Sequence, residues 1–429
     1  MPTTPRRNFL ASSLGGLAAL SFGPHLLGQE TKKAAKAKPA EKPPEVSSDP
    51  LASLFLTWQQ DPTTTMTIQW VGAEASNENA IRVAKQGGDE WQSAKTISKP
   101  FPNTELKVSR CELTGLAPDT EYKFQIGAQA KDYRFRTMPA KATNTIQWVS
   151  GGDAGIGEHA IGTNIIAAKQ EPHFALIAGD LAYDDGKKPL VFLKFLQNYC
   201  QHMVDPKGRL IPMLAAIGNH EVDGGYKGTR EKSPQYLSVF DGLYREKTFG
   251  VLDIGDYLSL VLLDTGHIAP IGGEQADWLA TTLAERQSKP HLIVANHVPA
   301  YPSFRAPDIA SSDKPATGEE QRRFWSPLFE KFNVDVVLEH HDHTFKRTHP
   351  LTGGLKDKNG VIYLGDGSWG KLRIPKKSEQ RPYLAVVSEA YHMTVHHLEG
   401  EQRFHVALEE SGKVADVCMT TSKRPARRG

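Results

Sequence analysis

Five short motifs that combine carboxylate, amide and imidazole side chains are spaced along residues 152–343 of this chain. In order they are Gly152-Asp153-Ala154-Gly155, Gly179-Asp180-Leu181-Ala182-Tyr183, Gly218-Asn219-His220-Glu221, Val294-Ala295-Asn296-His297 and His340-His341-Asp342-His343. Taken singly, each motif is a weak signal, because a Gly-Asp pair is commonly a turn and an isolated histidine commonly packs in a core. All five, however, follow apolar runs at intervals that fit strand-and-crossover units, which bring loops to one sheet edge. Together they predict a single site.

The side chains in these motifs predict that the site binds metal. Carboxylate, amide oxygen, imidazole and phenolate are ligands for first-row transition metals, and no thiolate is among them. Two ions that lie a few ångströms apart need a ligand that reaches both, and a carboxylate such as Asp180 can bridge them. Phenolate is a hard, charged oxygen that favours a ferric ion, so Tyr183 indicates that one metal is Fe(III).

The residues after Thr143 predict an α/β domain, because apolar runs that end in polar residues alternate with helix-like stretches. In such domains the sheets are buried and functional residues lie on loops at the carboxyl ends of the strands. The predicted strands are Ile146–Val149, Phe174–Ala178, Leu258–Leu263, Leu292–Ala295 and Val334–Leu338.

Residues 50–139 predict a separate, small all-β domain. Leu54–Trp58, Met66–Val71 and Tyr133–Arg136 have the composition or the period of two that half-buried strands require. The segment Leu113–Ile126 places a Gly and Pro turn before alternating Tyr, Phe and Ile, and it resembles the tyrosine corner of a fibronectin type III sandwich. This domain carries none of the five motifs.

The first 28 residues predict an export signal. Arg6 and Arg7 directly precede an apolar stretch at Phe9–Leu27, which resembles a twin-arginine signal peptide. An ordinary signal or a short anchor is the alternative, but Gly15, Gly16 and Pro24 interrupt the stretch and make it a poor spanning helix. We therefore expect export by the twin-arginine route to the periplasm or the medium, with no stable membrane span in the mature protein.

The remaining terminal segments are basic. Residues 29–49 predict a Lys/Ala/Pro-rich linker, and residues 421–429 predict a solvated basic tail. The formal net charge is +2, so the chain between the basic ends is acidic, which argues against nucleic acid as a partner. The 3 cysteines, Cys111, Cys200 and Cys418, lie far apart and allow at most one disulfide.

With these motifs in this order, the chain resembles a purple acid phosphatase within the calcineurin-like metallophosphoesterases. The resemblance covers about residues 50–420, and it implies a four-layer αββα sandwich at residues 143–420 behind a fibronectin type III-like domain at residues 50–139. It also implies Fe(III) together with a divalent metal, which is Zn, Fe or Mn. The ferric ligands it implies are Asp153, Asp180, Tyr183 and His343. The divalent ligands it implies are Asp180 as the bridge, Asn219, His297 and His341.

Two positions depart from the family pattern. His340 replaces the usual glycine before the histidine pair, and the spacing from Arg347 favours His341 and His343 as the ligands. Where plant-type members carry a pair of substrate-facing histidines, this chain has Phe304-Arg305-Ala306-Pro307. Arg305 is a candidate substrate-binding residue, because guanidinium binds phosphate oxygens in a bidentate way, and a solvated loop position is the alternative. For Asp264, which could be an additional ligand, we favour a role at the strand end.

The site predicts hydrolysis of phosphate monoesters by attack of a metal-bound hydroxide. His220 is the predicted catalytic residue, which faces the scissile phosphate and either protonates the leaving group or stabilises the transferring group. The alternative is a phosphodiesterase or nucleotide phosphohydrolase on the same two metals. A third class, a surface-binding protein without activity, is disfavoured because every ligand position is filled. The sequence leaves the natural substrate and the oligomeric state open.

Overall fold

The computed structural model describes residues 42–73, 81–127, 131–142, 146–308, 316–377 and 379–424. The predicted signal peptide and most of the predicted linker lie outside these ranges. Within them, no helix is both long enough and apolar enough to cross a membrane. Cys111, Cys200 and Cys418 are all free thiols.

The N-terminal part consists of two four-stranded antiparallel sheets, with the orders β1-β2-β6-β5 and β4-β3-β7-β8. The strands are β1 Phe55–Thr57, β2 Met66–Gly72, β3 Ile81–Lys85, β4 Gln92–Ala94, β5 Ile97–Pro100, β6 Lys107–Leu113, β7 Glu121–Ile126 and β8 Tyr133–Arg136. Tyr122, Phe124 and Ile126 are buried on one face of β7, as their alternation predicts. The Tyr122 hydroxyl accepts a 2.8 Å hydrogen bond from the Ala117 amide, which fixes the turn before the strand.

The rest of the chain is the α/β domain that the sequence predicts. Its strands are β9 Ile146–Gly151, β10 Ala175–Ala178, β11 Met213–Ala216, β12 Gly250–Ile254, β13 Leu258–Leu263, β14 His291–Asn296, β15 Val336–Glu339, β16 Phe345–Thr348, β17 Leu351–Thr352, β18 Leu355–Lys356, β19 Ile362–Asp366, β20 Leu384–Ser388, β21 His392–Glu399, β22 Gln402–Glu409 and β23 Val414–Thr421. Its helices are α1 Glu158–Ala168, α2 Pro189–His202, α3 Pro234–Tyr244, α4 Glu274–Glu285, α5 Glu319–Phe324 and α6 Ser326–Lys331.

Two sheets pack face to face with helices on their outer sides. The first has the order β11-β10-β9-β21-β22-β23 and the second the order β12-β13-β14-β15-β19-β16-β20. The alternation along β13 shows how the layers form: Leu260 and Leu262 belong to the core shared with the first sheet, whereas Val261 and Leu263 pack with α4 and α6. The four-layer fold class is thereby confirmed, and all five predicted strands of this domain are present.

The small β domain packs tightly against the α/β domain through aromatic side chains. The Trp58 ring meets Phe174 edge to face at 5.9 Å, and Phe174 stacks on Trp148 at 5.3 Å. Arg110 adds an ion pair to Asp241 at 2.6 Å. Aromatic pairs of this kind contribute about 0.5–1.5 kcal/mol each beyond the area they bury. Buried residues of both domains belong to one continuous cluster, so the two domains share one core.

The prediction of a solvated C-terminal tail is wrong for its first residues. Arg424 is buried, and its guanidinium donates to the buried carboxylate of Asp335. Lys423 donates to the carbonyl of Gly360 at 2.7 Å. No local pattern indicates this burial, because Asp335 lies far away along the chain and the pairing exists only after the second sheet has formed. Residues 425–429 lie outside the described part.

Candidate metal centre

The five motifs meet at one edge of the paired sheets, because each lies at the carboxyl end of a parallel strand. The first two loops run side by side, and the amide of Asp153 donates to the carbonyl of Gly179 at 3.0 Å. The last two loops are joined in the same way, with the amide of His340 donating to the carbonyl of His297 at 2.9 Å. Extending the strand pairing by one or two residues therefore brings the functional side chains together.

Three of the predicted ferric ligands converge on one point. The Tyr183 hydroxyl lies 3.2 Å from Asp153 Oδ1 and 3.1 Å from His343 Nε2. The His343 Nε2 lies 2.9 Å from the same Asp153 oxygen. These donors form the first group of the centre.

The predicted divalent ligands form a second group around His297. Its Nε2 atom lies 3.3 Å from Asp180 Oδ1, 3.3 Å from Asn219 Oδ1 and 3.1 Å from His341 Nδ1. The other ring nitrogen of His297 lies 3.0 Å from the carbonyl oxygen of Ala178. That contact holds the proton on Nδ1 and turns Nε2 toward the group, as metal-ligating histidines require.

These spacings fit metal coordination. Ligands at about 2.0–2.2 Å from one ion, with angles of about 90–109°, lie roughly 3.0–3.5 Å from each other. Donor atoms of Asp153, Asp180, His297 and His341 all lie within 4.8 Å of one another. Asp180 Oδ2 is buried and has no hydrogen-bond partner among the described residues, which is costly for a carboxylate oxygen unless a cation neutralises it. The donor set therefore fits two ions that share Asp180.

The ligand loops hold their side chains in strained backbone conformations. Asp153, Asp180, Tyr183, His341 and His343 all have positive φ, between 54° and 69°. For residues other than glycine this region costs about 1–2 kcal/mol each, although Asp and His tolerate it better than branched residues. Strain of this kind collects at functional sites, where the surrounding structure enforces it.

Glu221 supplies part of that enforcement, and the sequence analysis gave it no role. Its carboxylate is fully buried and accepts the amides of Gly218 at 2.7 Å, Asp180 at 2.8 Å and Leu181 at 2.7 Å. Burial, together with the nearby charge of Asp180, raises the pKa of Glu221 to about 8. Glu221 is a positioning residue that ties the second loop to the third. In the sequence, the only sign of this role is its position at the end of the third motif.

Burial and neighbouring charges together set the pKa values of the two histidines in the second group. Burial disfavours a charged imidazole, but Asp180 and Asp153 raise the pKa of His297 to about 9. Burial and the neighbouring His297 instead hold the pKa of His341 well below its usual range, so that ring is neutral and ready to act as a ligand. A metal at His297 must displace a proton, so affinity for that ion is expected to fall as the pH falls.

His220 lies at the rim of the centre. Its Nδ1 donates to Asp185 Oδ1 at 2.6 Å, and its side chain is 37% exposed. Its Nε2 is 3.9 Å from Asp180 Oδ2, and its ring lies 4.4 Å from that of Tyr183. Asp185, a second residue that the sequence analysis missed, therefore orients the ring and leaves Nε2 facing the metal ligands.

The structure also shows the surroundings of His340, Arg305 and Asp264, for which the sequence left more than one role open. His340 turns away from the cluster, with Nδ1 3.0 Å from the carbonyl of Asn296. Arg305 forms an ion pair with Asp342 at 2.8 Å and donates to the His341 carbonyl, so its guanidinium is held by the neighbouring loop although the side chain is 25% exposed. The Asp264 carboxylate accepts three backbone amides at residues 267–269, a strand-end role as expected.

Comparison with known proteins identifies two family domains. The family "Purple acid Phosphatase, N-terminal domain" matches residues 52–137, and the family "Calcineurin-like phosphoesterase" matches residues 152–345. The second match contains all seven predicted metal ligands. The first match covers the small β domain, from which no residue of the described metal cluster comes.

Individual proteins give the same result. Purple acid phosphatase 21 of Arabidopsis thaliana is 24% identical over 74% of this chain and 72% of its own length. Acid phosphatase type 7 of Mus musculus is 24% identical over 73% of this chain and 76% of its own length. Among solved structures, purple acid phosphatase PPD1 from seeds of yellow lupin, Lupinus luteus, matches with a TM-score of 0.68 and 17% identity. That match covers 86% of this chain and 74% of the lupin chain, and at this identity it shows the shared fold.

Proposed function

Because the chain belongs to the purple acid phosphatases among the calcineurin-like metallophosphoesterases, we propose that it hydrolyses phosphate monoesters at a centre of Fe(III) and a divalent Zn, Fe or Mn ion. The observation that carries this proposal is the division of the donor atoms into two groups, with the unpartnered Asp180 oxygen beside them. When bound, the two cations neutralise phosphate oxygens and make water acidic enough to act as a nucleophile.

The residues of the chain itself have separate tasks in this proposal. Tyr183, with Asp153 and His343, supplies the hard, anionic donors that suit Fe(III). Asp185 holds the Nδ1 proton of His220, so that a second proton on Nε2 is directed at the leaving oxygen of the ester. Glu221 keeps the Asp180 loop in position while charge redistributes on the substrate.

A comparison of substrates tests the monoester assignment. The purified enzyme is expected to have a higher kcat/KM for an aryl phosphate monoester than for the corresponding aryl phosphate diester. The diester is the second candidate, because Arg305 is engaged with Asp342 and this loop lacks the histidines that plant-type members carry there. A preference for the diester would replace the monoesterase proposal with a phosphodiesterase on the same centre.

Substitution of Tyr183 by phenylalanine tests the ferric site. Phenolate ligation to Fe(III) gives a broad visible charge-transfer band, so Tyr183→Phe should abolish the band while retaining part of the hydrolysis. The hydroxyl serves as a ligand rather than a nucleophile, which is why activity is expected to survive in part. The absorption spectrum of the purified variant is the measurement, and Tyr391→Phe, at a ring that stacks on His159, is the matched control. An unchanged colour in Tyr183→Phe would contradict phenolate ligation.

We also propose that the protein is exported in its folded, metal-loaded state. The support is the Arg6-Arg7 pair before the apolar stretch of the leader. Changing both arginines to lysine keeps the charge, and should leave folded protein in the cytoplasm if the twin-arginine route is used. Cell fractionation with an activity assay measures this, with Lys32 and Lys33 changed to arginine as a charge-matched control. Export that persists in the Arg6→Lys, Arg7→Lys variant would contradict the route.

A further inference from the structure

Residues 367–377, which follow β19, lie along one side of the metal centre. The amide of Gly370 donates to the carbonyl of Asp153 at 3.1 Å. The amide of Arg373 donates to the carbonyl of His343 at 2.7 Å. Because these two carbonyls belong to predicted ferric ligands, the segment is fixed to the wall of the site.

Two cationic side chains of this segment lie against aromatic rings at the site. The Lys371 ammonium is 4.5 Å from the centre of the Tyr183 ring, and the Arg373 guanidinium carbon is 5.1 Å from the centre of the Phe304 ring. Gly155 makes room for the lysine, since a Cβ on that residue would lie 3.1 Å from Lys371 Cε and 3.3 Å from Nζ. Gly155 also has φ +72°, so both its conformation and its missing side chain suit this contact.

No carboxylate is in contact with either of these two cations in the described part of the chain, although Asp342 and Asp153 attract the Arg373 charge from farther away. Among the residues that the structure describes, neither side chain forms an ion pair or a side-chain hydrogen bond. Neighbouring Arg305, by contrast, is paired with Asp342 at 2.8 Å. Stacking on an aromatic ring offsets only a fraction of the attraction that an anion would supply. Both side chains are half-buried and keep a fixed place with their charged groups available.

We propose that Lys371 and Arg373 form a second anion subsite, which binds a phosphate or carboxylate group that the substrate carries in addition to the ester phosphate under attack. The proposal rests on the proposed function and names its substrate class: phosphate compounds with an anionic leaving group, either esters such as sugar bisphosphates or anhydrides such as nucleoside diphosphates. The charged group of the leaving portion lies beside Tyr183 while the ester phosphate occupies the metal centre.

The test compares fructose 1,6-bisphosphate with glycerol 2-phosphate, and uses the ratio of their kcat/KM values. In Lys371→Gln and in Arg373→Gln this ratio should fall roughly 10-fold, the usual worth of a hydrogen bond to a charged group, and further in the double variant. The loss should be mainly in KM, because the contact is remote from the reacting bond and is made equally in the ground and transition states. Adenosine 5′-diphosphate as a third substrate distinguishes a nucleotide from a sugar.

Three controls keep the result interpretable. Lys85→Gln, an exposed lysine on β3 of the small domain, should leave the ratio unchanged. Metal content and the visible spectrum are recorded for every variant, because Lys371 contacts the Tyr183 ring. Raising the ionic strength should lower the ratio for the wild type more than for the double variant, since salt screens a partly exposed charge contact.

An unchanged ratio in the double variant would overturn the subsite while leaving phosphatase activity established. If the wild type hydrolyses neither substrate, the proposed function fails separately, and calorimetric binding of the two intact compounds gives the ratio instead. The subsite then requires that the wild type prefer the bisphosphate and that the double variant lose this preference. Equal binding by both proteins would overturn it.

Discussion

Asp180→Asn is expected to lose metal from the centre and to lower kcat by roughly 10³–10⁵-fold. Asparagine has the same shape, tolerates the positive φ at this position and can still accept the His220 amide, so the fold should persist. It lacks the negative charge that the two donor groups share. Metal ions supply several kcal/mol of transition-state stabilisation, and about 1.4 kcal/mol corresponds to a tenfold change in rate.

Metal analysis and single-substrate kinetics of the Asp180→Asn variant measure this effect. The matched control is Asp277→Asn, an exposed aspartate on α4 that should keep wild-type metal content and activity. Circular dichroism of both variants checks that the fold is retained. A folded Asp180→Asn variant that keeps two metals and more than about a tenth of wild-type activity would contradict the bridging role.

His220→Ala should keep both metals and lose about 10²–10⁴-fold in kcat, the usual worth of a positioned acid. The reason is geometric, since His220 lies at the rim, outside the cluster in which Asp180 and His297 are 3.3 Å apart. The loss should be smaller for an aryl phosphate than for an alkyl phosphate, because an aryl leaving group needs less protonation. Asp185→Asn should reproduce part of the effect, roughly 10–100-fold, by releasing the ring from its orienting carboxylate.

The outcomes for His220 separate three roles. Loss of a metal in His220→Ala would make the residue a ligand, and an equal loss for both leaving groups would indicate phosphate binding rather than acid catalysis. His159→Ala is the control, because that histidine is 53% exposed and pairs with Glu410. Its kinetics should match those of the wild type.

The sequence predicted the strands, and the positions of the loops at their carboxyl ends, because both depend on local patterns. Buried parallel strands appear as apolar runs, and the chemistry follows directly after them, as at Asp153 and Asp180. The choice of His341 and His343 over His340 also depended on spacing. In the structure the His340 ring points away from the cluster. Such features are encoded within a few residues of one another.

Features that depend on distant partners were missed. Burial of Arg424 requires Asp335, and the placement of β21 beside β9 in the first sheet depends on pairing across most of the domain. Glu221 and Asp185 were present in or next to the motifs, but their roles as acceptors become visible only when the loops are folded. Lys371 lies far from the motif that it contacts, so no local pattern could place it over Tyr183.

Metal analysis combined with a visible spectrum of the purified wild-type protein tests the two-metal centre most directly. We expect two metal ions per chain, at least one of them iron, and a broad visible band that disappears in Tyr183→Phe. A protein that is folded and active with a single metal ion, or with two ions but neither iron nor a visible band, would contradict it.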